Sequence, residues 1–110
     1  MTEVALIAKF VAKEGRLEEL LDTFALLAPR IQAEEPGCLR YAVHTLAGEE
    51  NSTVVMVESF ASADAFEAHL ANPTMAEFGP LLAALVAEPI EVTRLEPVAI
   101  GDSAKGRVGG

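Results

Sequence analysis

Apolar side chains occupy both faces of the first strand that the hydrophobic pattern predicts. Between Val4 and Val11 one face is wholly apolar, and the other carries a single charge, Lys9. Alternation with a period of two is typical of a β-strand. In a two-layer domain only one face of a strand lies under the helices, so an apolar second face needs another cover. The simplest cover is the sheet of a second copy of the chain.

The next segment has the period of an amphipathic helix. From Leu17 to Ile31 apolar residues recur at helical spacing opposite a charged face. Pro36 and Gly37 break a helix, so the pattern predicts that this helix ends near Glu34.

Two further strands follow, joined by a polar loop. Leu39 to Leu46 alternates as a second strand, and Thr53 to Phe60 is the most strand-like run in the chain. The segment Ala47 to Ser52 contains glycine and asparagine and predicts a hairpin loop. In this third strand Val54, Met56, Glu58 and Phe60 share one face and Val55, Val57 and Ser59 the other, so both sides are mostly apolar, as in the first strand.

The remaining elements are marked by capping residues. Ser62 is a good N-cap for a short helix, and Asn72 followed by Pro73 begins another, with proline in its tolerated first position. Glu88 to Pro97 is a weaker final strand. Residues 99–110 have no core-forming pattern and are expected to form a flexible tail.

The order strand, helix, strand, strand, helix, strand predicts an α+β fold of the ferredoxin-like, split βαβ kind. Such a domain has a four-stranded antiparallel sheet with its helices on one face. One domain over residues 1–98 is expected, followed by the tail at residues 99–110. The excess of apolar strand surface predicts a homodimer formed through the open face of the sheet.

Composition excludes several classes of partner. The 110-residue chain is 51% hydrophobic and has a net charge of −9, with its lysines and arginines scattered. Nucleic acids and anionic membranes are poor partners for such a surface. Cys38 is the only cysteine, so an intrachain disulfide is impossible. The chain shows no signal peptide and no apolar run of the ~20 residues that cross a bilayer, which predicts a cytoplasmic protein.

Five short segments resemble the antibiotic biosynthesis monooxygenase family, including its quinol monooxygenase-like members. They are residues 35–38 (EPGC), 57–60 (VESF), 65–73 (AFEAHLANP), 87–89 (AEP) and 94–97 (RLEP). The resemblance spans roughly residues 3 to 97. It implies a dimeric α+β barrel, in which two ferredoxin-like protomers join through their sheets and each holds a pocket between sheet and helices.

The same resemblance implies a cofactor-free oxygenase of phenolic or quinol substrates, although the family also includes heme-degrading enzymes and an isomerase. This chain departs from the family at two positions. Phe60 stands where many members carry tryptophan, and Thr74 stands where a second histidine is common. Heme breakdown is disfavoured, because the asparagine, tryptophan and histidine set of the heme-degrading members is missing.

His69 and Glu58 are the candidate catalytic residues. His69 matches the family's helical histidine, and a histidine side chain can accept or donate a proton at neutral pH. Its alternative role is a hydrogen bond to the backbone that fixes helix packing. Glu58 lies on an apolar strand face, where burial raises the pKa of a carboxyl and can make it a base. Its alternative role is a structural ion pair with Arg40 or Arg94.

Aromatic and methionine side chains could wall a cavity for a flat aromatic ligand, since such pockets are apolar with few polar groups. Residues of this kind at helical spacing also form ordinary core. The sequence has no glycine-rich nucleotide loop and no paired histidines at metal-binding spacing, so neither a bound cofactor nor a metal is predicted. The candidate substrate-binding residues are Phe24, Met56, Phe60, Phe66, Met75 and Phe78.

Three functions remain open from the sequence. The first is a monooxygenase that oxidises a small phenol or hydroquinone with molecular oxygen and without a cofactor. The second is an isomerase of a small carbonyl compound that uses the same acid–base residues. The third is a non-catalytic, ligand-binding dimeric module.

Overall fold

The computed structural model describes residues 2–48 and 52–106, which form four strands and three helices. The first strand, the first helix and the third strand have the predicted bounds. Of the predicted hairpin loop at 47–52, residues 49–51 lie outside the described residues. The elements are β1 (Val4–Val11), α1 (Leu17–Glu34), β2 (Cys38–Thr45), β3 (Thr53–Phe60), α2 (Ala63–Ala71), α3 (Pro73–Leu85) and β4 (Glu91–Leu95).

The strands form one antiparallel sheet in the order β2-β3-β1-β4. This order confirms the ferredoxin-like α+β fold that the element sequence predicts. The two central strands, β1 and β3, are the two with apolar side chains on both faces. Their hydrogen-bonding edges are both paired, so the outer strands β2 and β4 carry the exposed edges.

The capping residues that the sequence marks begin the two later helices. The Ser62 hydroxyl accepts a hydrogen bond from the backbone N–H of Ala65 at 3.1 Å, which starts α2. The Asn72 side-chain oxygen accepts one from the backbone N–H of Thr74 at 2.9 Å, and Pro73 occupies the first position of α3. Because the same Asn72 ends α2 and begins α3, the two helices meet at a fixed corner.

Two predicted strands, the second and the last, have the wrong bounds. The final strand is shorter than the predicted Glu88 to Pro97, because Pro89 lacks the N–H that a ladder needs and β1 pairs with β4 only over Glu91–Leu95. The second strand begins one residue earlier than predicted and is interrupted by an irregularity between Cys38 and Arg40. Leu39 therefore drops out of the predicted alternation with Tyr41 and is 46% exposed.

All three helices pack on one face of the sheet, here called the inner face. Their contact with the strands forms a single apolar core. Phe10 of β1 and Phe24 of α1 meet edge to face, with ring centroids 5.0 Å apart. The largest fully buried side chains of this core belong to α1 and β3: Leu20, Phe24, Leu27, Ile31, Val54, Met56 and Phe60.

The opposite face of the sheet, here called the open face, has no helix on it. Ile7, Val57 and Ala42 form a cross-strand row at its centre, and each of the three is partly exposed. An apolar row in contact with water carries a free-energy cost that a second protein surface removes.

The ends of the described chain add little to this architecture. Residues 99–106 are exposed and contain neither a helix nor a strand, and residues 107–110 lie outside the described residues. The flexible tail therefore stays a prediction. No helix in the described ranges has the length and hydropathy that crossing a membrane requires.

Candidate functional site

A cavity of about 210 Å³ lies between the inner face of the sheet and the pair α2–α3. Among the described residues that line it, the titratable side chains are Tyr41, Glu58 and His69, which lie together at one end, here called the polar end. The rest of the lining is apolar and comes from β1, α2, α3, β4 and the segment between α3 and β4. A small number of polar groups in an apolar pocket is typical of a site for a small organic molecule.

Sheet register places Glu58 at this polar end. On β3 it is directly opposite Leu6 of β1 and Tyr41 of β2, so all three side chains share the inner face. Glu58 is only 6% exposed. Burial, followed by the negative charge of Glu35, raises the pKa of Glu58 to about 7. The carboxyl is therefore poised to gain or lose a proton near neutral pH.

His69 faces Glu58 from α2. Its Nε2 atom lies 3.8 Å from Oε1 of Glu58, too far for a direct hydrogen bond but close enough for both groups to contact one ligand atom. The imidazole is 3% exposed and packs against the rings of Phe60 and Tyr41, with centroid distances of 4.9 and 5.6 Å. These rings hold the imidazole in one orientation.

A second buried carboxylate, that of Glu35, holds the other side of the imidazole. Nδ1 of His69 lies 3.0 Å from each oxygen of Glu35, and the Asn72 amide donates to Oε2 of Glu35 at 2.9 Å. A carboxylate can only accept hydrogen bonds, so Nδ1 carries the proton. In the neutral imidazole Nε2 is then a free acceptor that faces the cavity.

The backbone brings Glu35 to this place through the end of α1. Glu35 terminates the helix, and its N–H donates to the carbonyl of Ile31. Gly37 then passes close to α2, where a Cβ on it would lie 2.5 Å from Cβ of Ala65. The close approach that glycine permits draws the 35–38 segment under α2 and towards His69.

The nearby thiol and phenol keep their protons at neutral pH. Burial and the charge of Glu35 raise the pKa of Cys38 to about 11. Burial, followed by the charges of Glu58 and Glu35, raises the pKa of Tyr41 above its usual range. A thiolate nucleophile at Cys38 is therefore unfavourable, and Tyr41 can donate a hydrogen bond to a ligand.

The cavity brings together some of the predicted site residues and leaves others in the core. Phe66 and Met75 line the cavity together with His69 and Glu58. Phe60 contacts His69 but does not line the cavity. The other three predicted substrate-binding residues, Phe24, Met56 and Phe78, are buried in the core away from the cavity lining.

The ion pair considered between Glu58 and an arginine is not formed in the part of the chain that the structure describes. Arg40 is exposed and lies opposite Ser59, on the open face. The Arg94 guanidinium lies over the ring of Phe66, 5.1 Å from its centroid. Glu58 faces His69 instead, so neither Arg40 nor Arg94 holds its carboxyl ionised.

Two residues of the site were not singled out from the sequence. Tyr41 shares the inner face with Glu58, and the alternation of the second strand would have placed it there. Glu35 is harder to find, because it is 34 residues from His69 along the chain and stands in a loop after a helix. The sequence feature that could have identified Glu35 is its position before a Pro-Gly pair, within a segment that resembles the family.

The arrangement favours proton transfer rather than metal binding. The two carboxylates flank opposite nitrogens of the imidazole, so the three side chains cannot converge on one ion. Across residues 2–48 and 52–106, no group of three or more His, Cys, Asp or Glu side chains is placed to hold a metal. Thr74 binds Glu34 and Arg30, at 2.7 and 2.9 Å, and does not line the cavity.

Glu58→Gln is expected to stabilise the protein increasingly as pH rises. The pKa of Glu58 is about 7 in the folded chain against an ordinary 4.5, so below about pH 4.5 the side chain is protonated in both states and costs nothing. Between pH 4.5 and 7 the unfolded chain loses this proton first, and stability is lost. Glutamine has no proton to lose, so above pH 7 we expect the free energy of unfolding of the variant to exceed that of the wild type by roughly 1–3 kcal/mol.

Denaturant unfolding of Glu58→Gln and the wild type at pH 4.5 and pH 8 measures the effect. Glu67→Gln, which changes an exposed carboxyl on α2, controls for the loss of one negative charge. A stability difference for Glu58→Gln that is the same at both pH values would contradict the shifted pKa.

Comparison with known proteins agrees with this fold. The sequence pattern of the antibiotic biosynthesis monooxygenase family matches residues 3–80. A solved candidate monooxygenase of that family from Caulobacter crescentus is 25% identical, with a TM-score of 0.82 over 88% of this chain and 91% of its own. A Mycobacterium tuberculosis protein is 27% identical, with a TM-score of 0.73 over 92% of this chain and 100% of its own. None of the curated proteins compared with the chain matches it.

Proposed function

Since the chain belongs to the antibiotic biosynthesis monooxygenase family, we propose that it is a cofactor-independent monooxygenase that oxidises a small phenol or hydroquinone with molecular oxygen. The observation that carries this proposal is the buried array Glu35–His69–Glu58 at the polar end of an otherwise apolar cavity. This array can remove a phenolic proton in a site that excludes most water.

Proton removal is the step that the protein assists most directly. A ring hydroxyl placed between Nε2 of His69 and Glu58 donates its proton to Nε2, the free acceptor of the imidazole. The imidazolium that forms is stabilised by the carboxylate of Glu35, 3.0 Å from Nδ1. Tyr41 lies next to Glu58 on the sheet and can donate a hydrogen bond to the phenolate oxygen.

Deprotonation makes the substrate itself the reductant. A hydroquinone anion transfers one electron to oxygen, and the resulting superoxide and semiquinone combine at a ring carbon to form a peroxide. The imidazolium of His69 returns its proton to the peroxide. Loss of the ring proton and cleavage of the O–O bond then leave one oxygen atom on the ring and release the other as water. For the simplest case, hydroquinone and O₂ give hydroxybenzoquinone and H₂O, so the substrate supplies all four electrons.

The cavity orients the substrate ring and excludes water from it. The rings of Phe66 and Phe60 are 5.3 Å apart, and the Phe66 face of this pair lines the cavity. A flat ligand packed against Phe66 has its hydroxyl directed towards the polar end. Holding the ring in one position and keeping water from the reactive anion are the contributions expected of such a site.

The proposal includes a homodimer formed through the open face. The supporting observation is the partly exposed apolar row of Ile7, Val57 and Ala42, which lies on the side of the sheet away from the cavity. Burying this row against its counterpart removes apolar surface from water. The two cavities of the dimer then lie on its two outer sides.

Oxygen consumption with a panel of hydroquinones and phenols tests the proposed reaction. We expect oxygen uptake that depends on both substrate and protein, at one O₂ per hydroxyquinone formed, as measured with an oxygen electrode and mass spectrometry of the product. Binding without uptake across the panel would favour the ligand-binding alternative. A product formed equally well under argon would favour the isomerase.

A further inference from the structure

Three exposed aliphatic side chains form the rim of the cavity. Leu70 is 63% exposed, Val92 is 55% exposed and Ile90 is 39% exposed, and all three line the same cavity as His69. They come from three places in the chain: α2, β4 and the segment between α3 and β4. We refer to Leu70, Ile90 and Val92 as the rim.

The rim does not belong to the open face through which the dimer is proposed. Val92 lies directly opposite Ala8, whose side chain is on the inner face, so Val92 points to the helix side of the sheet. Leu70 is on a helix that packs on that same side. A dimer built through the open face leaves the rim in contact with water.

The cavity as a whole, including the part that the rim borders, is small. At about 210 Å³ the cavity is below the range of about 300–1,000 Å³ usual for ligand pockets, while a space of about 150 Å³ is enough for a benzene ring. A single hydroxylated ring therefore fills most of it. Any larger substituent on the ring has to leave the cavity, and the surface that it meets there is the rim.

We propose that the natural ligand of this cavity is amphiphilic. It has a hydroxylated ring that binds at the polar end and a hydrocarbon chain that lies on the rim of Leu70, Ile90 and Val92. This inference rests on the proposed function for the ring and adds the substrate class. A hydrocarbon chain covers side chains that otherwise remain exposed, and it needs no polar partner. The polar groups at the polar end determine that the hydroxylated end of the ligand is the one that enters the cavity.

A chain-length series tests this inference without turnover. Binding of 4-methylphenol, 4-propylphenol and 4-pentylphenol to the full chain is measured under argon, which withholds the oxygen that turnover needs, by isothermal titration calorimetry. We expect Kd to fall about two- to fourfold for each added methylene, as buried CH₂ groups do. In the double variant Leu70→Gln/Val92→Thr this dependence falls below about 1.5-fold per methylene, while Kd for 4-methylphenol changes less than about twofold.

Leu26→Gln is the matched control, because Leu26 is a 66% exposed leucine on α1 that does not line the cavity. It should keep the wild-type dependence on chain length. A flat series in the wild type, or no binding of any alkylphenol, overturns the inference. Loss of the dimer in the double variant, seen by sedimentation, also overturns it, because the rim would then be a protein interface.

The outcome is separable from that of the oxygenase proposal. Chain-length dependence without oxygen uptake supports the amphiphilic ligand and rejects the oxygenase. Oxygen uptake with small hydroquinones and no chain-length dependence rejects the amphiphilic ligand alone.

Discussion

Replacing His69 with asparagine is expected to lower kcat for hydroquinone oxidation by about 10²- to 10⁴-fold, the contribution usual for a positioned general base. The imidazole Nε2 is an acceptor that faces the cavity beside Glu58, while Glu35 binds the opposite ring nitrogen. Asparagine has no group that accepts a proton at neutral pH. The Asn72 amide still donates to Glu35 at 2.9 Å, so the variant does not leave that buried carboxylate unpaired.

The measurement is steady-state oxygen uptake, with circular dichroism to show that the variant is folded. His44 offers a matched control, since it is the chain's other histidine and lies exposed on β2 opposite Val55 of the open face. His44→Asn should retain wild-type kcat. An activity within twofold of wild type in folded His69→Asn would remove His69 from the mechanism.

Replacing Val57 with aspartate is expected to convert the proposed dimer to a monomer at micromolar concentration. Val57 lies at the centre of the open face, between Ile7 of β1 and Ala42 of β2. A dimer through this face would bury the new carboxylate without a cation, and an uncompensated buried charge costs several kcal/mol. A loss of about 4 kcal/mol corresponds to a dimer Kd raised roughly 10³-fold.

Sedimentation velocity over a range of concentrations measures the change. In the folded monomer Val57 is already partly exposed, so the variant should unfold at nearly the wild-type denaturant concentration once protein concentration is taken into account. Leu81→Asp, on the exposed side of α3, is the matched control and should remain dimeric. A wild-type chain that is a stable monomer at micromolar dilution would reject the proposed dimer.

Local pattern was enough to predict the secondary structure and the fold. Neighbours within a few residues set the alternating side-chain pattern of β1 and β3 and the helical spacing of α1. They also set the caps Ser62 and Asn72. Because the order of the elements restricts how four strands can be connected, the ferredoxin-like topology followed from them. The errors fell where tertiary pairing decides, at Pro89 in the last strand and at Leu39 in the irregularity of β2.

The sequence by itself determined which residues are apolar, where the helices begin and that Glu58 and His69 carry titratable groups in apolar segments. Only the tertiary structure decided what those groups face. The contact of Glu35 with His69 depends on how α1 and α2 pack, and which aromatic residues border a void depends on the shape left between the layers. Periodicity reports the face of an element and not its neighbour across the core, since contacts between distant segments are fixed by packing alone.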